Sequence, residues 1–175
     1  MNDILVSLLK NKVDEYKEID ASMIIYQAEL LNNCKMNYCG KYNSNWMCPP
    51  AVSQNELVQD YLKYQKVFVF TKITHIEDAF DIDGMNEGRK KVEKIISFLQ
   101  RKLLYKYDYK ILGAGTCSRC SKCTYPYAPC RYPNLAIPGL EALGINVVEL
   151  AKTCKIKYYN GLNTVTYFAA IYYNG

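Results

Sequence analysis

The chain has 175 residues, half of them hydrophobic on the broad count, which suits a folded domain and excludes a disordered one. No apolar run approaches the eighteen or so residues that cross a bilayer, and residues 1–16 lack the basic start and small-residue cleavage site of a signal peptide. The formal net charge is +5, but no basic run or nucleic-acid module accompanies it, so the expectation is a cytoplasmic protein binding neither membrane nor nucleic acid.

Residues 1–16 predict an amphipathic helix, with Ile4, Leu5, Leu8, Leu9 and Val13 on one face. Mixed charge on the other face suits packing rather than a membrane surface. Residues 19–31 read two ways: a short strand through Met23, Ile24 and Ile25, and a helical turn from Ala28 to Leu31.

Cys34, Cys39 and Cys48 follow, spaced C-x4-C-x8-C. Gly40, Asn43, Ser44 and Asn45 mark the stretch as loop. Pro49 and Pro50 fix an extended exit from Cys48. Trp46 and Met47 either shield a metal centre from water or belong to an ordinary core.

Ser53 with Glu56 forms a capping-box pattern, predicting a helix to Lys66 with Leu57, Val58, Tyr61 and Leu62 on its apolar face. Val67 to Ile73 reads as a buried strand. A polar turn holds Asp81 and Asp83, expected to be solvated. Residues 86–106 give the clearest helix: Val92, Ile95, Ile96, Leu99 and Leu103 share a face. Tyr107 to Leu112 reads as a second buried strand. Strand, helix and strand predict a βαβ unit with parallel strands. The fold class expected is therefore α/β or α+β: one domain over residues 1–175, a small mixed sheet built on that unit, helices packed on it, and two cysteine-rich loops forming a metal site.

The second loop begins at Gly113-Ala114-Gly115 and carries Cys117, Cys120, Cys123 and Cys130, spaced C-x2-C-x2-C-x6-C. Cysteines three apart cannot easily share one face of a strand or helix. A loop wrapped on a metal centre does want them so, and iron–sulfur clusters are held by such runs. The alternative is a set of buried or disulfide-bonded cysteines, which a reducing compartment disfavours. Gly113 and Gly115 let the backbone approach a cofactor and offer N–H groups to cluster sulfurs. The lysine of a phosphate-binding P-loop is absent. Lys35, Lys41, Arg119, Lys122 and Arg131 either balance cluster charge or are solvated loop cations.

Pro138 to Leu143 predicts a short helix ended by Gly144, and Asn146 caps another from Val147 to Cys154. Ile156–Tyr159 and Thr164–Tyr173 read as strands joined by a turn at Asn160-Gly161. Cys154 reads as a small buried apolar residue, the lone His75 as structural, and the 17 tyrosines mostly as packing residues.

Several pieces together resemble the domain of unknown function 2284 family of predicted metal-binding proteins. They are Cys34-x4-Cys39, Tyr42 with Cys48-Pro49-Pro50, Gly113 to Thr116 with Cys117, Cys120 and Cys123, Cys130-Arg131-x-Pro133, Glu141 to Val147, and Thr166-Tyr167-Phe168. Two positions depart from the pattern: Tyr132 stands where His is expected and Gly139 where Ser is expected. The resemblance implies metal binding and no defined reaction.

Seven loop cysteines admit three arrangements. Two [4Fe–4S] clusters could form, with Cys34, Cys39, Cys48 and Cys130 on one and Cys117, Cys120 and Cys123 on an open one. A single cluster would leave the other cysteines structural. Zinc is the alternative metal, but structural zinc favours paired knuckles and catalytic zinc usually brings His. The function expected is transfer of single electrons to a redox protein partner. The rivals are an iron–sulfur enzyme with substrate at an open iron, and a zinc or cluster module that senses or stabilises. Substrate, reaction and oligomeric state stay open.

Overall fold

A computed structural model describes residues 1–52 and 54–175, without the side chains at 54–56. The Ser53–Glu56 capping pattern lies outside the described residues. The helices are α1 (Asn2–Leu9), α2 (Leu31–Lys35), α3 (Gln54–Leu62), α4 (Ile82–Leu103) and α5 (Val147–Cys154). The strands are β1 (Tyr16–Asp20), β2 (Lys66–His75), β3 (Tyr109–Leu112) and β4 (Thr164–Tyr173), in the order β1-β2-β4-β3.

The fold is α+β, and every strand pair is antiparallel. β2 and β3, which flank α4, do run in the same direction, as a βαβ unit requires. They are not neighbours, because β4 lies between them and pairs with both. The mixed sheet expected from the βαβ reading is thus an antiparallel one. Thr164–Tyr173 is long and apolar enough to fill the centre and satisfy backbone groups on both edges.

Alternation along the strands sends side chains to two cores. Val67, Val69, Phe168, Ala170 and Tyr172 meet Tyr61, Leu150, Ala151 and Cys154 on one face. Phe68, Phe70, Ala169, Ile171 and Tyr173 meet α1 and the apolar stripe of α4 on the other. The sheet is therefore covered by helices on both sides, which is why β2 and β4 read as near-continuous apolar runs.

Two expectations need correcting, and two readings are completed by the structure. The N-terminal helix stops at Leu9, and Tyr16–Asp20 is an edge strand paired with β2. Only Ile19 of β1 is buried, so its charged sequence suits an edge that discourages further pairing. Met23–Ile25 is not a strand; residues 21–23 form a 3-10 turn. Ile156–Tyr159 is not a strand either, since Lys155 turns left-handed (φ 56°) and Ile156 N–H bonds back to Ala151 to finish α5. Asp81 does more than face solvent: its carboxylate accepts from Glu77 and Gly84 N–H and starts α4 four residues earlier than periodicity suggested. Those two bonds hold its carboxyl below the ordinary range.

α4 lies close on the sheet at Gly88. A Cβ there would stand 2.6 Å from a Tyr167 ring carbon and 2.8 Å from Thr74 Oγ1. Gly88→Val gains at most a few tenths of a kcal/mol in helix propensity but forces overpacking that costs about 1–3 kcal/mol. The expected outcome is a net loss of roughly 2 kcal/mol, read as a lower urea midpoint with unchanged slope; a midpoint at or above wild type would show that this packing is loose.

Candidate metal centre

The cysteine loops meet beyond the end of β3, where Gly113 leaves the strand. Gly113 N–H donates to Pro138 O at 3.0 Å, and Leu140 N–H donates back to Gly113 O at 3.2 Å. Gly139 is thereby pressed against the Gly115 carbonyl, and a Cβ on residue 139 would come within 2.3 Å of that oxygen. Gly115 itself is left-handed, φ 74°, a conformation glycine adopts without strain. Of the two glycines expected at a cofactor, Gly113 has its amide committed to Pro138.

Cys34 sits in the last turn of α2, and Cys39 is exposed in the turn that follows. Asn37, Gly40 and Asn43 all take positive φ, so the chain reverses repeatedly. Asn37 Oδ1 accepts from Tyr42 N–H, and Asn43 N–H donates to Pro49 O at 2.8 Å. These bonds fold the first loop onto itself and present Cys48.

Asn45 and Thr116 join the loops. Asn45 is 6% exposed, a buried amide whose oxygen accepts from Met47 N–H. Its Nδ2 donates to Thr116 Oγ1 and approaches Cys48 Sγ at 3.5 Å. Thr116 Oγ1 lies 3.0 Å from Cys48 Sγ. With its oxygen receiving from Asn45, the hydroxyl hydrogen is available to Cys48. Trp46 adds a second tie: its indole N–H donates to Ala128 O at 3.1 Å and its ring meets Tyr125 edge-on, centroids 5.0 Å apart. Tyr125 O–H in turn donates to Asn43 Oδ1 at 2.7 Å. Trp46 is neither simple core nor a free shield; it clamps one loop to the other. Thr124 O–H to Pro129 O and Arg131 to Lys122 O close the far part of the second loop.

None of the eight cysteines is in a disulfide. Burial pushes the Cys34 thiol up, helped by Cys39, Cys48 and Glu141 nearby. Burial also pushes Cys48 up, opposed by the Thr116 and Asn45 hydrogen bonds and reinforced by Cys39 and Cys117. Cys34, Cys39, Cys48 and Cys117 therefore share one electrostatic neighbourhood. Cys117 of the second loop acts on Cys48 of the first. Among the described residues no three His, Cys, Asp or Glu side chains converge closely enough to grip one ion. The donor set fits a soft metal by its chemistry.

Three partners of the cysteines escaped the reading of the sequence: Asn45, Thr116 and Glu141. Each lies next to a cysteine motif or a matching family segment, but none is a thiol, and only the fold shows which cysteine each meets. Burial raises the Glu141 carboxyl, although the residue as a whole keeps contact with solvent. Cys154 is 2% exposed in the core, its thiol pushed up to about 11 by burial, so it stands apart from the loops. His75 ends β2, paired with Thr164.

A family model described as predicted metal-binding protein, DUF2284, matches residues 17–172. The chain belongs to this family. The match takes in both cysteine loops and the Gly139–Glu141 turn. A search of curated proteins and a search of solved structures each find no match. Within the match, even a methyl group at position 139 would strike the Gly115 carbonyl.

Metal-free native protein alkylated with iodoacetamide should be modified at the seven loop cysteines and spared at Cys154, read by peptide mass mapping. Thr116→Val removes the hydroxyl that favours the Cys48 thiolate, so Cys48 should react several-fold more slowly at pH 8 while Cys123 keeps its rate. An unchanged Cys48 rate would mean that the hydroxyl does not donate to the sulfur.

Proposed function

We propose that this protein is a cytoplasmic iron–sulfur protein of the [4Fe–4S] type that passes single electrons to a protein partner. The observation that carries the reading is the join of the two loops through Asn45, Thr116 and Cys48, which brings thiols from opposite halves of the chain into one neighbourhood. Cys34, Cys39, Cys48 and Cys117 are the proposed ligands of one centre. Cys120, Cys123 and Cys130 remain for a second. Such a cluster supplies one-electron chemistry when bound.

The chain's own residues do the tuning. Hydrogen bonds to a ligand sulfur stabilise negative charge on it and shift a centre's potential upward. Thr116 and Asn45 are placed to do this at Cys48. The Trp46–Tyr125 contact restricts water at the join. Zinc is the alternative metal, and the donor set of thiols alone does not exclude it. An enzyme with substrate at an open iron is favoured by one observation: a cavity borders Cys130, one of the three thiols left for the second centre.

The test is anaerobic purification, with iron, acid-labile sulfide and zinc measured per chain alongside an absorption spectrum. About four to eight iron with matching sulfide is the expected result. Cys48→Ser should lose much of the iron, while Cys154→Ser should keep it. Zinc without sulfide or colour would overturn the electron-transfer reading. Because Cys34 and Cys48 are held as thiols at neutral pH, loading with any soft metal should release protons and weaken as pH falls.

A further inference from the structure

We propose that the cavity between α4 and the Gly113–Arg119 loop is a binding site for a small phosphoanion, a molecule carrying a phosphate or pyrophosphate group. The cavity has a volume of about 370 Å³. That is small-molecule size, at the lower end of ordinary ligand pockets and too small for a polymer.

Its lining is rich in cations: Lys90, Lys94 and Arg101 from α4 and Arg119 from the loop. Their pairing is uneven. Lys90 is bound to Glu87, and Glu93, the one acidic residue of the lining, is bound to Arg89. Lys94, Arg101 and Arg119 have no carboxylate within 4.0 Å among the described residues. The cavity thus keeps an excess of positive charge in a concave wall, which concentrates anions.

Arg119 is the decisive residue. Its guanidinium donates to Gln100 Oε1, and Gln100 Nε2 donates to Leu135 O at 3.2 Å. Gln100 is 6% exposed, a polar side chain buried in the apolar stripe of α4. Burying an amide is costly unless its hydrogen bonds are satisfied. Here they are, and the result is an arginine that is fixed but not neutralised. A carboxylate at position 100 would fix it equally well and cancel its charge. A held guanidinium with its remaining N–H groups unspent suits planar recognition of phosphate oxygens. The opposite wall is Gly113, Ala114 and Gly115, where small residues let a ligand approach the backbone. Ser97 and Ser118 supply hydroxyls.

Cys117 lines the same cavity. An anion bound there lies beside the proposed metal centre, but the site does not depend on which metal that centre holds.

The probe is inorganic pyrophosphate, titrated calorimetrically into the full chain purified anaerobically, with metal content measured on every sample. Wild type should bind saturably. Arg119→Ala and Gln100→Glu should each weaken binding about tenfold or more, the scale of one charge-assisted hydrogen bond. Lys157→Ala, which removes one positive charge outside the cavity, should bind as wild type does. Both cavity variants should keep the wild-type metal content and circular dichroism. The proposal is overturned if pyrophosphate shows no saturable binding, if Lys157→Ala weakens it equally, or if citrate binds as tightly. It is also overturned if metal content falls together with affinity, because Arg119 would then be balancing the charge of the centre. A protein found to hold zinc alone would sink the iron–sulfur reading and leave this site standing.

Discussion

The insertion of β4 between β2 and β3 is the constraint on which the structure rests. Without it β2 keeps only the short β1 as partner, and the four residues of β3 have none. Both cores lose a shared wall, since Phe168, Ala170 and Tyr172 face one and Ala169, Ile171 and Tyr173 the other. The position of Gly113, and so of the second cysteine loop, follows from where β3 is held. A strand that arrives more than fifty residues after β3 thus fixes the frame of the second cysteine loop.

The two cysteine loops have little regular structure and borrow their order from one another. Each is closed internally by turns and backbone bonds, then joined by Asn45–Thr116 at one point and Trp46–Tyr125 at another. Asn45 is buried and satisfied, so the join resists sliding: displacing either loop strands an amide away from water. This gives thiols on flexible-looking sequence a defined neighbourhood.

Much of this was legible in the sequence, for local reasons. The stripe on α4 is a periodicity, the Asn146 cap is a residue preference, and the cysteine spacings are coordination chemistry, each contained in a short window. The parallel direction of β2 and β3 followed from the helix between them, but the sequence held no sign that β4 would intervene. β1 was missed because an edge strand such as Tyr-Lys-Glu-Ile-Asp needs only one buried residue and so shows weak alternation. Arg119 could be read only as a loop cation beside cysteines. That it leans on Gln100, in the middle of an apolar helix face, is a relation between two segments and has no local signature. Asn45 and Thr116 are the same case over seventy-one residues.

The contact between Gly139 and the Gly115 carbonyl makes the distance between the second cysteine loop and the Glu141 turn depend on a missing atom. Changes at a cysteine remove a ligand outright, whereas a change at 139 leaves every ligand in place and alters only spacing. Position 139 is thus a graduated adjustment: each added methyl or hydroxymethyl would push Gly115, and with it Thr116 and Cys117, outward by a small step. A larger residue there would hold the same thiols in a slightly wider frame without exchanging a single cysteine.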